Sequence, residues 1–168
     1  MNTNNKNKKT GFTLIEMLMY VALMTIIILV IVQSITVVLK SNRSSFADIN
    51  IRNSGYTAME GILREIRSSE TVEQASMGIL EMKQDNLTRV VRFSTSSEGT
   101  IDFYEGSDVP NIVGPLTSKG VFVKNLIFTK INTGKSFAVR IEMELETNVN
   151  DIYKSEWFYG TAILRGSY

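Results

Sequence analysis

Residues 11–39 read GFTLIEMLMYVALMTIIILVIVQSITVVL, and most of the architecture follows from them. From Met17 to Val32 the chain has no charge, glycine or proline, and apolar residues continue to Leu39. A helix from Met17 to Leu39 would be about 35 Å long at about 1.5 Å per residue, enough to cross a hydrocarbon core of about 30 Å. Because lipid offers no partner to an unpaired backbone group, the stretch predicts one transmembrane helix.

The charges on either side of this stretch predict its orientation. Lys6, Lys8 and Lys9 precede it, and the bulk of the chain follows it. Positive residues next to a membrane span tend to stay on the cytoplasmic side. We therefore expect a single-pass protein of the inner membrane, with a cytoplasmic N-terminus and with residues 41–168 outside the cytoplasm.

Glu16 does not fit an ordinary membrane anchor, because it lies where the apolar stretch begins. A carboxylate at membrane depth is costly, and an ionisable residue there is a functional hypothesis by default. The alternative is that Glu16 only marks the interfacial end of the span. The neighbouring residues favour the functional interpretation.

Residues 8–18, KKTGFTLIEML, resemble the leader junction of type IV pilins and type II secretion pseudopilins. The resemblance implies that residues 1–11 are a basic leader, which a prepilin peptidase removes by cutting after Gly11. Phe12 would then be the N-methylated mature N-terminus, and Glu16 the acidic residue that acts in assembly. The resemblance also implies other pilins, an inner-membrane assembly platform and membrane lipid as partners, and a final location in a pilus or pseudopilus.

Two physical points accompany this resemblance. A helix N-terminus favours a carboxylate, and after cleavage the Phe12 amine would lie about one turn from Glu16. If a neighbouring subunit's amine meets Glu16, the pair would set axial register, since either charge left unpaired in an apolar bundle is costly.

The chain departs from the family pattern at Gln33, which stands near the position where major pilins often have proline. This departure favours a minor pilin or a pseudopilin.

A second helical segment follows the apolar one. Polar residues 41–45 mark the exit from the membrane, and steps of three and four then resume, which is typical of one apolar stripe on a helix. The predicted stripe is Phe46, Ile49, Asn53, Tyr56, Met59 or Glu60, Leu63 and Ile66. Gly55 and Gly61 predict a bend or close packing. We expect one helix from Phe12 to about Ser68, with residues 12–40 in membrane or filament core and residues 41–70 as its amphipathic continuation.

Residues 71–168 predict an antiparallel sheet, so the expected fold class is α+β. Short alternating runs give the strand candidates 78–82, 88–94, 100–104, 121–131, 137–145 and 157–164. Turn-forming residues separate them at 96–99, 105–108, 117–120, 132–135 and 148–151. In the fifth run the apolar residues from Phe137 to Leu145 alternate with Ala138, Arg140 and three glutamates, which predicts one buried and one wet face.

Three features of this domain are candidate sites with plainer explanations. Glu142, Glu144 and Glu146 project from one strand face and could bind calcium, but a solvated face fits better because no ligand loop converges on them. Asp102 and residues 105–108 are weaker calcium candidates. Residues 157–159, Trp-Phe-Tyr, either fill the core with alternate members or form a partner-binding patch, and we favour the core.

Composition excludes several classes of function. The chain has no Cys and no His, which removes thiolate nucleophiles, imidazole bases and zinc sites with those ligands. The formal charge of +1 gives no case for nucleic acid, and no Gly-rich phosphate loop is present. We expect no enzyme, no metal and no cofactor. The alternative function is a secreted or membrane-anchored binding domain behind a conventional signal sequence cut after Ala47.

Overall fold

A single long helix opens the structure. The computed structural model describes residues 11–107, 109–132, 134, 136–149 and 152–165. Helix α1 runs over Leu14–Ser68, which confirms the predicted helix and its end. The first turn is capped by Thr13, whose carbonyl and Oγ1 lie 3.1 and 3.4 Å from the Glu16 amide nitrogen. Threonine followed three residues later by glutamate is the capping-box pattern, so the helix begins here for a local reason.

In the part of the chain that the structure describes, eight antiparallel strands follow in two sheets. The first sheet is a five-stranded meander in chain order: β1 (Thr71–Ser76), β2 (Ile79–Gln84), β3 (Arg89–Thr95), β4 (Ile101–Gly106) and β5 (Asn111–Pro115). The second has three strands in chain order: β6 (Val121–Asn132), β7 (Phe137–Val149) and β8 (Ile152–Ile163). A bridge between Met77 and Ile127 joins the sheets, and the α+β class is confirmed.

The six predicted strands are present, and two further strands were missed. β1 has only one buried residue, Val72, and β5 has none, so neither shows the alternation that identifies a half-buried strand. β8 begins at Ile152, five residues before the predicted start, because β7 and β8 pair without a break from Val149 opposite Ile152. Strand pairing, which local pattern does not report, sets these boundaries.

The chain divides into two compact units, residues 1–42 and 43–168. The core of the second unit lies between the part of α1 after residue 43 and the sheets. Its helical members are buried residues at steps of three and four: Ala47, Ile51, Ser54, Gly55, Ala58, Met59, Ile62, Glu65 and Ile66. Sheet residues complete it, among them Phe93, Val139, Ile141, Met143 and Phe158.

The predicted stripe on this part of α1 was largely wrong. Phe46, Ile49 and Tyr56 are 65, 52 and 61% exposed, whereas Met59 and Ile66 are buried and Leu63 is partly buried against the core. The buried face is displaced by about one residue and is formed mostly by small and β-branched side chains. The small residues allow the helix backbone to approach the sheet closely, and three isoleucines on the same face supply most of its apolar side-chain volume.

Close packing explains one of the two helical glycines. A Cβ added at Gly55 would collide with the ring of Phe158, and one added at Gly160 of β8 would lie 2.7 Å from Met59 Sδ. A Cβ at Gly61 would meet only Leu116, at an ordinary 3.7 Å. The helix is continuous through both positions, so close packing at Gly55 is confirmed and Gly61 has no comparable constraint.

Candidate functional site at the amino-terminal helix

The predicted cleavage site lies just before α1. Gly11, Phe12 and Thr13 have no regular secondary structure and are exposed. Phe12 is 72% exposed, and its ring makes an edge contact with Tyr20 at 6.2 Å between centroids. A bond outside the helix is available to a peptidase without unwinding a turn. Cleavage after Gly11 stays a prediction, and the leader lysines Lys6, Lys8 and Lys9 lie outside the described residues.

Glu16 occupies the first turn of α1, two residues after its first residue. Its backbone amide is used by the Thr13 cap, whereas its side chain is exposed and has no partner within the described residues. The carboxylate lies at the end of the helix that carries the positive partial charge, which favours it. Glu16 is therefore held in place with its charge available to another molecule.

The rest of this segment presents an apolar surface that none of the described residues covers. All residues from Leu14 to Arg43 are exposed, and the large apolar side chains among them are at least half exposed. The helix is long and apolar enough to cross a membrane by length and composition. An apolar patch of this extent marks a surface that contacts lipid or protein.

The polar side chains within the apolar segment fall into two groups. The hydroxyls of Thr25, Ser34 and Thr36 donate to the carbonyls four residues earlier, at 2.7, 2.9 and 2.6 Å. These bonds satisfy the hydroxyls inside their own helix. Gln33 has no such bond within the described residues, and its side chain is exposed.

The glutamates of β7 are engaged by neighbouring side chains. Glu142 pairs with Arg140 at 2.7 Å, and Glu144 pairs with Lys124 at 2.9 Å. Glu146 accepts a hydrogen bond from the hydroxyl of Tyr153 in β8.

Two hydrogen bonds, from Lys124 and from Ser155 of β8, hold the pKa of Glu144 below its usual value. No group of three or more acidic side chains able to hold a metal ion occurs among the described residues. The predicted wet face is wrong at Glu144, which is buried, and Glu142 and Glu146 are half-buried, because neighbouring side chains pair with all three.

The remaining candidates have partners of their own. Asp102 accepts a hydrogen bond from Thr100 at 2.9 Å, and Glu105 accepts one from Arg89. Phe158 is buried, whereas Trp157 and Tyr159 point outward with their rings 5.9 Å apart and nearly parallel. The prediction that alternate members fill the core is confirmed for Phe158.

A buried polar cluster joins α1 to β2, and sequence reasoning missed it. Glu65 is not part of the predicted stripe, but it is buried, and its side chain and carbonyl lie within hydrogen-bond distance of the buried Gln84 of β2. Gln84 Nε2 donates to the Glu65 carbonyl at 3.0 Å and to Ser69 Oγ at 3.1 Å. No local pattern joins residues 65 and 84, because the contact depends on where the sheet folds against the helix.

Comparison with known proteins adds one finding. The family described as the prokaryotic N-terminal methylation motif matches residues 6–32, which include the predicted cleavage site and most of the apolar segment. No curated protein and no solved structure matches the chain. The matched motif implies processing by a prepilin peptidase and assembly with related subunits. Together with the apolar helix, it indicates a protein anchored in the inner membrane.

Proposed function

We propose that this chain, a type IV pilin-like substrate of prepilin peptidase, is a minor pilin or pseudopilin that assembles into a filament through its N-terminal helix. The filament would be a type IV pilus, a type II secretion pseudopilus or a competence pseudopilus. After cleavage, the apolar segment anchors the subunit in the inner membrane until an assembly platform transfers it to the filament. Residues 43–168 lie outside the cytoplasm.

The observation that carries this proposal is the pairing of the methylation motif with an uncovered apolar helix. The motif match ends at residue 32, and the exposed surface continues along the same helix to residue 43. A leader serving only secretion would need a short apolar core of about 7–15 residues, which this segment exceeds. A continuous helix whose second part is packed in a folded domain suits a subunit that keeps its anchor.

Glu16 supplies the directional contact in this mechanism. Cleavage after Gly11 would create a positive amine at Phe12, and the Glu16 carboxylate has no partner within the described chain. In an apolar bundle of helices, each charge is stabilised only where the opposite charge of a neighbouring subunit meets it. The apolar helix provides adhesion that is insensitive to register, and the charge pair selects one axial position.

The mature N-terminus tests the proposal directly. Mass spectrometry of the protein purified from its native membrane should find a chain that begins at Phe12 and carries an N-methyl group. A chain beginning at Asp48 would instead support a conventional signal sequence. That alternative cut lies within α1, next to the fully buried Ala47. A chain that still begins at Met1 would contradict the proposal.

Replacement of Glu16 tests the assembly step. Glu16→Ala should be inserted and processed normally but should enter sheared filaments at least about tenfold less, because an unpaired amine in an apolar bundle costs several kcal/mol. Immunoblotting of filament and membrane fractions measures the ratio. Glu60→Ala is the matched control, since Glu60 is also exposed on α1 but lies in the second unit. Normal incorporation of Glu16→Ala would refute the charge-pair mechanism.

A further inference from the structure

Gln33 lies well inside the predicted membrane span. The midpoint of Met17 to Leu39 is Ile28, and five residues at about 1.5 Å each place Gln33 about 7.5 Å from it along the helix. A hydrocarbon core centred on Ile28 extends about 15 Å in each direction, so the carboxamide lies within lipid depth. This location rests on the proposed function, which puts the apolar segment in a membrane.

The carboxamide needs a partner that its own helix does not provide. Nearby hydroxyls are satisfied by backbone carbonyls, as for Ser34 with Val30 at 2.9 Å. Gln33 is exposed and has no hydrogen bond within the described residues. An amide in hydrocarbon without a hydrogen bond is strongly unfavourable, and lipid tails carry neither donors nor acceptors. A second protein segment with a polar group at this depth would remove that penalty.

We propose that Gln33 binds Gln33 of a second copy of this chain, so that the subunit forms a parallel helix pair in the membrane before it enters a filament. A carboxamide is self-complementary, because its NH₂ group donates and its oxygen accepts. Two copies inserted in the same orientation place Gln33 at the same depth, because their sequences are identical. A different occupant would need its own polar group at that level.

The residues around Gln33 suit such a helix pair. Ile26, Leu29 and Thr36 lie seven and four residues before it and three residues after it, so all three share its face of the helix. All are exposed, and the Thr36 hydroxyl is already bonded within the helix. One polar residue among apolar ones at this spacing fixes the register and the number of helices in a bundle. Gln33 would therefore select a partner by depth, whereas the apolar neighbours supply the contact area.

Cysteine cross-linking in the membrane tests this pairing. The chain has no Cys, so Lys40→Cys introduces a single thiol one heptad after Gln33, on the same face of the helix. The full-length chain, expressed in inner membranes, is oxidised, and the disulfide-linked dimer is quantified by immunoblotting. Adding Gln33→Leu should lower the dimerisation constant by about 3- to 30-fold, the range expected for interhelical hydrogen bonds in membranes. Gln33→Asn should retain most of the dimer.

Ser34→Ala is the matched control. It removes a neighbouring polar group that is already bonded to its own helix, so the dimer yield should not change. Equal cross-linking with Gln33→Leu would overturn the proposal, as would a Gln33-dependent adduct formed only with a different membrane protein. The N-terminus of each variant is sequenced in parallel. Loss of processing after Gly11 would count against the proposed function. The dimer yield, measured only among chains inserted in the membrane, tests the pairing of Gln33 separately.

Discussion

At the scale of single residues, the contact between helix and sheet depends on the absence of side chains. Gly55 admits the ring of Phe158, which is buried and also meets the edge of Tyr56 at 5.7 Å between centroids. The ring has little room to move, because protein interiors are close-packed and transmit local strain. Gly61 lies on the same helix without a comparable neighbour. The two glycines therefore offer a matched pair.

Replacing each glycine with alanine should change stability in opposite directions. Gly55→Ala should lower the free energy of unfolding by about 1–3 kcal/mol, since overpacking outweighs the gain in helix propensity. Gly61→Ala should raise it by about 0.5–1 kcal/mol, because alanine is the better helix former and the added methyl meets only Leu116. Urea unfolding of the full chain in detergent, followed by the fluorescence of Trp157, measures both. Stabilisation by Gly55→Ala would show that the Phe158 ring moves to accommodate the added methyl group.

At the scale of elements, a polar network fixes the end of α1 to the first sheet. Gln84 of β2 bonds to Glu65 and Ser69 at the helix end, and it accepts a hydrogen bond from Arg89 Nη1 at 2.6 Å. Arg89 Nε also donates to Glu105 of β4 at 2.9 Å. Each buried polar group is thereby satisfied, which an apolar interface would not have required. The network ties one helix end to three strands in a single geometry.

The Arg89–Glu105 pair makes part of this stability depend on pH. The hydrogen bond from Arg89 holds the pKa of Glu105 below its usual 4.5. A lowered folded-state pKa gives a contribution that is complete above pH 4.5 and is lost as the pH falls through the folded-state pKa. Glu105→Gln should therefore lower the urea midpoint at neutral pH, and the difference from the wild type should close at acid pH, once the pH lies below the folded-state pKa.

The change should be small, because the Glu105 side chain is 39% exposed and solvent screens the pair. Glu98→Gln is the control: Glu98 is exposed and its side chain has no ion pair within the described residues, so neither midpoint should change. A Glu105→Gln difference of equal size at both pH values would mean that the glutamate acts through packing rather than charge.

At the scale of the whole molecule, the two units differ in what they need from their surroundings. The main core cluster draws its residues from Ile51 to Leu164, all within the second unit. The described part of the first unit has no buried residue. The second unit can thus fold on its own buried surface, whereas the apolar part of α1 requires lipid or other chains.

Two fragments test this division. A fragment starting at Arg43 should be a soluble monomer that unfolds cooperatively in urea, since it retains the whole core cluster. A fragment starting at Ser69 loses helical core residues that include Ile51, Ile62 and Ile66. It should not unfold cooperatively, because the apolar faces of the sheets would no longer pack against α1. Circular dichroism and urea titration separate the two. A cooperative Ser69 fragment would show that the sheets do not need α1.

The sequence alone determined the features that depend on neighbours along the chain. Residues 11–39 were enough to predict the apolar part of α1 and the motif that the family comparison confirmed, because charge, spacing and apolar length are local properties. The six alternating runs identified most of the second unit for the same reason. The cleavage at Gly11 and the role of Glu16 remain predictions that experiment must test.

Only the tertiary structure decided which face of α1 is buried. Phe46 and Tyr56 are exposed, whereas the buried face combines Ile51, Ile62 and Ile66 with small residues that include Gly55, where the Phe158 ring packs against the helix. The edge strand β5 and the bonds of Gln84 to the helix end also arise from pairing between distant segments. Such contacts produce no periodic pattern in the sequence, because each segment becomes buried only when the distant segment packs against it.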